Sequence, residues 1–97
     1  SENGVKGVFN FIIRTYKFFA NPDNTNKETE DPETLKILHQ TIKKVENDIE
    51  GLKFNTAISQ MMIFTNHCLK AGTVTRNTAE TFAKLISPFA PHLAYDL

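Results

Sequence analysis

The sequence predicts an all-α fold, an antiparallel bundle of four helices followed by the start of a fifth. In four separate segments, apolar residues recur at steps of three and four. No segment shows the sustained alternation of apolar and polar residues that is typical of a half-buried strand. The chain has 97 residues, of which 40% are hydrophobic and 23% are charged. This length and composition predict one globular domain spanning residues 1–97.

The first helix is predicted from Gly4 to Ala20. Its apolar stripe consists of Val5, Val8, Phe9, Ile12, Tyr16 and Phe19. Phe11 and Phe18 fall a quarter turn or more off this stripe, and we expect them to need a partner: a neighbouring helix, another domain, another protein or lipid. The polar segment NPDNTNKETED follows at residues 21–31 and predicts a mobile loop without core side chains.

The second helix is predicted to begin at Asp31, Pro32 and Glu33. An aspartate caps free backbone N–H groups, a proline pre-sets the first turn, and a glutamate favours the positive end of the helix dipole. A regular apolar seam follows, consisting of Leu35, Leu38, Ile42, Val45, Ile49 and Leu52. Gly51 lies near the predicted end of this helix.

The third helix is predicted from about Thr56 to Ala71, with Phe54 and Asn55 forming a turn and a cap before it and Gly72 ending it. One apolar stripe consists of Ala57, Met61, Phe64 and Cys68. A second stripe beside it consists of Ile58, Met62, Thr65 and Leu69. Because the apolar arc is wide, we expect this helix to lie in the middle of the bundle.

The fourth helix is predicted to begin at Asn77, which with Glu80 three residues later resembles a capping box, and to run to about Ile86. Pro88 stops it, because proline lacks the N–H donor and restricts the residue before it. Pro91 can begin a fifth helix over the last residues.

Charge and targeting signals exclude several classes of protein. Eleven basic residues balance eleven acidic residues, so a nucleic-acid site would have to be a local patch. Cys68 is the single cysteine, which suits a reducing compartment, and we expect a buried structural thiol. The longest apolar stretch, Val8 to Phe19, is too short and too interrupted to span a bilayer. These features predict a soluble, cytoplasmic chain without a membrane partner, and its first and last residues suggest that it is a piece of a longer chain.

No set of residues indicates catalysis or metal binding. His39 and His67 have no second His, Cys or carboxylate four residues away to share a helix face. Nucleophile elbows, glycine-rich phosphate loops and Cys-x-x-Cys pairs are absent from the sequence. We therefore expect no catalytic residue, no metal site and no cofactor in this chain.

The first helix carries a basic stripe that could bind phosphate groups. It consists of Lys6, Asn10, Arg14 and Lys17, at steps of four, four and three residues, and it contains no acid. A second strip consists of Lys43, Lys44 and Lys53. The same first helix is rich in aromatic residues, so a protein-interaction or membrane-surface module is an alternative hypothesis.

Three stretches resemble the C-terminal helical anticodon-binding domain of the leucyl-tRNA synthetase family. Residues 38–64, LHQTIKKVENDIEGLKFNTAISQMMIF, resemble the second and third bundle helices of that family. Residues 85–97, LISPFAPHLAYDL, are similar to the segment that ends this bundle in the leucine, valine and isoleucine class I synthetases. Residues 4–19, GVKGVFNFIIRTYKFF, are similar to the entry helix.

The chain departs from the family pattern at several positions. Asn10 stands where an arginine is common, Tyr16 where a tryptophan is usual, and Tyr95 where a glutamate is common. No stretch resembles the HIGH or KMSKS signatures of the family. ATP binding, leucine activation and editing would therefore belong to domains upstream.

The resemblance implies a class I synthetase anticodon-binding fold and a domain that positions leucine tRNA while an upstream catalytic domain attaches leucine with ATP and Mg²⁺. The expected tRNA-binding residues are Lys6, Asn10, Arg14, Lys17, Lys43, Lys44 and Lys53. The equivalent domain of a valyl- or isoleucyl-tRNA synthetase remains an alternative, and we expect the isolated chain to be monomeric.

Overall fold

The fold is that of a computed structural model, which describes the backbone of residues 2–89 and the side chains of residues 6–89. The four α-helices are α1 (Glu2–Ala20), α2 (Pro32–Glu50), α3 (Phe54–Ala71) and α4 (Arg76–Ile86). Short 3₁₀ helices follow α1 at Pro22–Asn24 and α4 at Ser87–Phe89. The all-helical prediction is confirmed for this described part, which contains no strand. The predicted fifth helix lies outside the described residues.

Helix α3 lies at the centre of the core, as predicted from its wide apolar arc. Ala57, Met61, Phe64 and Cys68 are fully buried. The ring centroid of Phe64 lies 6.5 Å from that of Phe19 on α1 and 4.8 Å from that of Phe82 on α4. The same helix packs against α2 on another side. A single α3 therefore contacts all three other helices.

Helices α2 and α3 run antiparallel and are joined by three polar contacts along their length. The contacts are Thr34 Oγ1 to His67 Nε2 at 2.8 Å, Gln60 Nε2 donating to Thr41 Oγ1 at 3.1 Å, and Thr56 Oγ1 donating to Asp48 Oδ2 at 2.6 Å. We call this set the α2–α3 ladder. Because residue numbers rise on α2 as they fall on α3, the ladder establishes the antiparallel arrangement.

The predicted apolar seam of α2 is wrong in half of its positions. Leu35 is 38% exposed, Ile49 is 37% exposed and Leu52 is 75% exposed. The buried face consists instead of Thr34, Leu38, Thr41, Val45 and Asp48. Three of these side chains are polar, and each is buried because a polar group on α3 satisfies it. Helix α2 is therefore rotated relative to the prediction from hydrophobicity alone.

The predicted apolar stripe of α1 also needs correction. Phe11 and Phe18, expected off the stripe, are buried at 1% and 8% exposure, whereas Tyr16 is 43% exposed. Helix α1 packs against both α3 and α4, so it buries a wider and differently centred arc than one stripe. Neighbouring helices of this chain thus cover the two phenylalanines. Their burial removes the aromatic surface that suggested a membrane or protein-interaction module.

The predicted capping residues are wrong at two helix starts. Helix α3 begins at Phe54, so Asn55 lies inside it; the preceding turn depends on Leu52, whose φ of 58° is left-handed. Helix α4 begins at Arg76, and Thr75 rather than Asn77 caps it by accepting a 3.2 Å hydrogen bond from the Thr78 N–H.

The predicted start of α2 is confirmed, because Asp31 is the N-cap residue and Pro32 begins the helix, but the Asp31 side chain makes no capping hydrogen bond. Its carboxylate lies 3.3 Å from Lys27 Nζ instead. The aspartate is therefore used in an ion pair within the loop rather than to satisfy the first turn of α2.

The polar loop of residues 21–31 is attached to the connection between α3 and α4. Val74 N–H donates to the Asn24 carbonyl at 2.9 Å, and Lys27 N–H donates to the Val74 carbonyl at 3.3 Å. Thr75 N–H donates to Glu30 Oε2 at 2.7 Å. These bonds hold both halves of the loop against the bundle, while its mobility stays a prediction.

Candidate nucleic-acid interface

The basic stripe of α1 lies on the outer face of the bundle. Its members Lys6, Asn10, Arg14 and Lys17 are all exposed. At about 100° per residue, the four side chains fall within an arc of about 80°, beside the face that buries Phe11 and Thr15. None of them forms an ion pair with an acid among the described residues. Their charge and hydrogen-bonding groups are therefore available to a partner.

Three members of this stripe line one shallow groove of about 400 Å³. We call it the α1 groove, and its lining consists of Asn10, Ile13, Arg14, Lys17, Phe18, Asn24 and Leu69. The lining includes two cations and no acid, so the groove favours an anion. Lys6, the fourth predicted member of the stripe, does not line it.

The far wall of the α1 groove is fixed by the loop that follows α1. Asn24 Nδ2 donates to the Phe18 carbonyl at 3.1 Å, and the Asn24 carbonyl accepts from Val74. Ile13, Phe18, Asn24 and Leu69 were not among the predicted site residues. They come from α1, the 3₁₀ helix after it and α3, so only the tertiary fold brings them together.

The second predicted strip divides into two kinds of lysine. Lys44 Nζ lies 3.1 Å from Asp48 Oδ1, and the charge of Lys53 also acts on Asp48. Lys43 points away from the buried face of α2 and forms no ion pair within residues 6–89. All three are exposed, and their role toward tRNA stays a prediction. Lys44 and Lys53 have a second role here, which is to balance a buried carboxylate.

Asp48 is that carboxylate, buried at 3% exposure near the end of α2. The hydrogen bond from the Thr56 hydroxyl holds the pKa of Asp48 below its ordinary value, and Lys44 and Lys53 act in the same direction. Desolvation opposes them without prevailing. The ionised form is therefore the one that the fold stabilises, and the geometry indicates a structural role at the α2–α3 turn.

Cys68 is a buried thiol, as predicted. Desolvation, with a smaller contribution from the charge of Glu30, raises its pKa to about 12. A thiol with such a pKa is not a nucleophile at neutral pH. Over the described residues, no group of three His, Cys, Asp or Glu side chains could hold a metal ion. Likewise, no helix in this part of the chain is long and apolar enough to cross a membrane.

Comparison with known proteins identifies the family. Residues 31–97 match the family described as the anticodon-binding domain of tRNA ligase. The chain belongs to this family. The anticodon-binding domain is also 46% identical, over 101 aligned positions, to leucine–tRNA ligases of Leptospira biflexa serovar Patoc, strain Patoc 1, in both its Ames and its ATCC 23582/Paris forms. These alignments cover 100% of the chain and 12% of each ligase.

The comparisons confirm the resemblance found in the three sequence stretches, and they do not favour the interaction or membrane alternative. No solved structure gives a significant match to the anticodon-binding domain. The family match begins at residue 31, so it does not include α1, which the alignments with the two ligases cover.

Proposed function

We propose that this chain is the tRNA-binding helical domain of a leucine–tRNA ligase, and that it positions leucine tRNA for a reaction carried out elsewhere in that enzyme. One observation carries the proposal: a domain of the tRNA-ligase family presents exposed cations around an acid-free groove, without intramolecular ion pairs among its described residues. The 46% identity to leucine–tRNA ligases supports leucine as the amino acid.

The proposed contacts are made mainly to phosphate and ribose groups, because A-form RNA presents its backbone rather than its base edges to side chains. Arg14 is the leading candidate, followed by Lys6 and Lys17. Asn10 donates to a ribose hydroxyl or a phosphate. Lys43 extends the contact surface on α2, and Lys44 and Lys53 join it while they also balance Asp48.

The remaining expectations are parts of the same proposal. ATP and Mg²⁺ serve the catalytic domain of the ligase, which is the partner of this domain in the same polypeptide. The domain is monomeric and cytoplasmic.

The test is a titration of labelled leucine tRNA with the chain and with its Arg14→Glu/Lys17→Glu variant at two salt concentrations. Each phosphate contact contributes about 0.7 to 0.9 to the slope of log affinity against log salt. The variant is expected to bind more weakly and to have a slope lower in magnitude by about 1.4 to 1.8. Its helical content should be unchanged, because both side chains are exposed.

The matched control is Lys70→Glu/Lys84→Glu, which changes the net charge equally at two exposed positions outside the α1 groove. If attraction of the whole domain for RNA were responsible, both variants would weaken binding to the same degree. Equal titration curves for the wild type and the Arg14→Glu/Lys17→Glu variant would rule out the groove as the tRNA contact.

A further inference from the structure

We infer that Glu30 is a positioning residue for the proposed tRNA contact, because it fixes the loop of residues 21–31 where Asn24 forms a wall of the α1 groove. We call this segment the α1–α2 loop. The inference rests on the proposed function and adds a residue that controls the same site. It assigns control over the affinity of the groove to a carboxylate that does not line it.

Hydrogen bonds hold the α1–α2 loop in place, because none of its side chains is buried in the core. The Val74 N–H donates to the Asn24 carbonyl at 2.9 Å, and the Val74 carbonyl accepts from the Lys27 N–H at 3.3 Å. The next residue, Thr75, donates its N–H to Glu30 Oε2 at 2.7 Å. Since Val74 and Thr75 are adjacent in the chain, loss of the Glu30 attachment weakens the attachment of Asn24.

The Glu30 carboxylate is an ionised acceptor between two elements. Its Oε1 accepts from the Asp31 N–H at 3.2 Å, while its Oε2 lies at the N-terminal end of α4. Desolvation raises the pKa of Glu30, but hydrogen bonds from Thr78 and Thr75 outweigh it and hold the pKa below its ordinary value. Hydrogen bonds to an ionised group are roughly twice as strong as neutral ones, and the start of a helix favours negative charge. The charge of Glu30 therefore strengthens this attachment.

The α1–α2 loop separates two grooves. Asn24 lines the α1 groove, whereas Pro22, Thr25 and Asn26 line a second groove of about 650 Å³ between α1 and α4. Open space on this second side lets the loop move away from the α1 groove when its attachment is lost. The apparent affinity of the α1 groove then falls with the fraction of molecules in which the loop is attached.

Hydrogen exchange measured by NMR tests the attachment. Glu30→Gln keeps the size of the side chain and removes its charge. The Val74 and Thr75 amides should exchange faster in this variant, whereas the Phe64 amide in the middle of α3 should exchange at an unchanged rate. Unchanged rates at Val74 and Thr75 would contradict the assignment. Acceleration of all three amides by the same factor would also overturn it, because Glu30 would then stabilise the whole bundle.

Titration of labelled leucine tRNA measures the effect on binding. Removing an acid from a protein that binds RNA increases its attraction for RNA. The control variant Glu28→Gln, which removes an exposed acid of the same loop, should therefore bind as well as the wild type or slightly more tightly. Glu30→Gln changes the charge equally, but it should bind roughly three-fold more weakly if the loop stays attached in about a third of the molecules. Equal affinities of the two variants would overturn the inference.

Asn24→Ala tests whether Glu30 acts through the wall of the groove. This variant should lose at least as much affinity as Glu30→Gln, and Glu30→Gln/Asn24→Ala should bind no more weakly than Asn24→Ala alone. Multiplying effects would overturn the inference, because Glu30 would then act by another route. If Arg14→Glu/Lys17→Glu weakens tRNA binding and Glu30→Gln does not, only this inference fails. If Arg14→Glu/Lys17→Glu leaves binding unchanged, the proposed function fails and the inference fails with it.

Discussion

Helix α3 packs against its neighbours through different kinds of interaction on its two sides. Toward α2, the contacts of the α2–α3 ladder are directional hydrogen bonds that fix the register between two helices. Toward α1 and α4, the contacts are aromatic: the ring centroids of Phe19 and Phe82 lie 5.3 Å apart, and both pack on Phe64. Hydrophobic packing is non-directional and supplies most of the stabilisation, whereas a buried polar pair mainly penalises wrong arrangements. We therefore expect the aromatic side to dominate stability and the ladder to specify register.

The largest expected effect comes from Phe64→Ala, which breaks the aromatic side at its centre. Truncating a fully buried phenylalanine removes its transfer free energy and leaves a cavity, at a cost of about 3 to 5 kcal/mol. This is a large fraction of the stability of a domain of this size. Urea unfolding followed by circular dichroism measures the loss. Phe54→Ala provides the comparison, because Phe54 is 42% exposed and its removal should cost clearly less; equal costs would contradict the assignment of the core to this side.

The second-largest effect is expected at the α2–α3 ladder. There the free energy of unfolding should depend on pH, because Asp48 titrates at a lower pH in the folded state. The pKa of Asp48 is lower in the folded state than in the unfolded state, where it is about 3.9. Its contribution is therefore fully present above that unfolded value and is lost as the pH falls through the folded one. The free energy of unfolding of the wild type should exceed that of Asp48→Asn at pH 6, and the difference should shrink below about pH 4.

Thr56→Val provides the mechanistic control, because the Thr56 hydroxyl is the main cause of the lowered pKa. An NMR titration of the Asp48 carboxyl should give a higher pKa in Thr56→Val than in the wild type. An unchanged pKa would mean that Lys44 and Lys53 stabilise the carboxylate without the ladder.

A smaller loss is expected from Thr41→Val, which keeps the shape of a fully buried side chain and removes one contact of the ladder. The Thr41 hydroxyl donates to the Ile37 carbonyl at 2.7 Å and accepts from Gln60. Because the Gln60 amide is half-buried, it can recover some hydrogen bonding from water, and the cost should be about 1 kcal/mol. Ser59→Ala, at an exposed position one residue away from Gln60, should cost less in the same urea experiment. A gain in stability from Thr41→Val would show that the ladder is retained for register alone.

The contrast between the two sides also explains what could be predicted from the sequence. The helices themselves were predictable, because periodic apolar residues and punctuation such as Gly72 and Pro88 are local signals. The buried face of α2 was not, because Thr34 and Asp48 are tolerated inside only through partners on α3 that lie far away in sequence. Hydropathy assigns such residues to solvent and assigns Leu35 to the core.

The candidate site divides in the same way. The exposure of Lys6, Asn10, Arg14 and Lys17 on one face follows from helical spacing and is confirmed. The groove beside them was not predictable, because Asn24 and Leu69 reach it from other elements. The ion pair between Lys44 and the buried carboxylate of Asp48 was not predicted either, although their spacing of four residues permits it.

The smallest expected effect on stability is at the outer face of α1, which belongs neither to the aromatic side of α3 nor to the α2–α3 ladder. Arg14→Gln/Lys17→Gln removes two exposed cations without ion pairs among the described residues, so the free energy of unfolding should change by no more than about 0.5 kcal/mol. The same variant is expected to weaken tRNA binding. Exposed residues whose replacement costs no stability but reduces binding are under functional rather than structural constraint. A loss of stability as large as that of Thr41→Val would instead place these cations in the packing of α1, and the weakened binding would then lose its meaning as evidence for a contact.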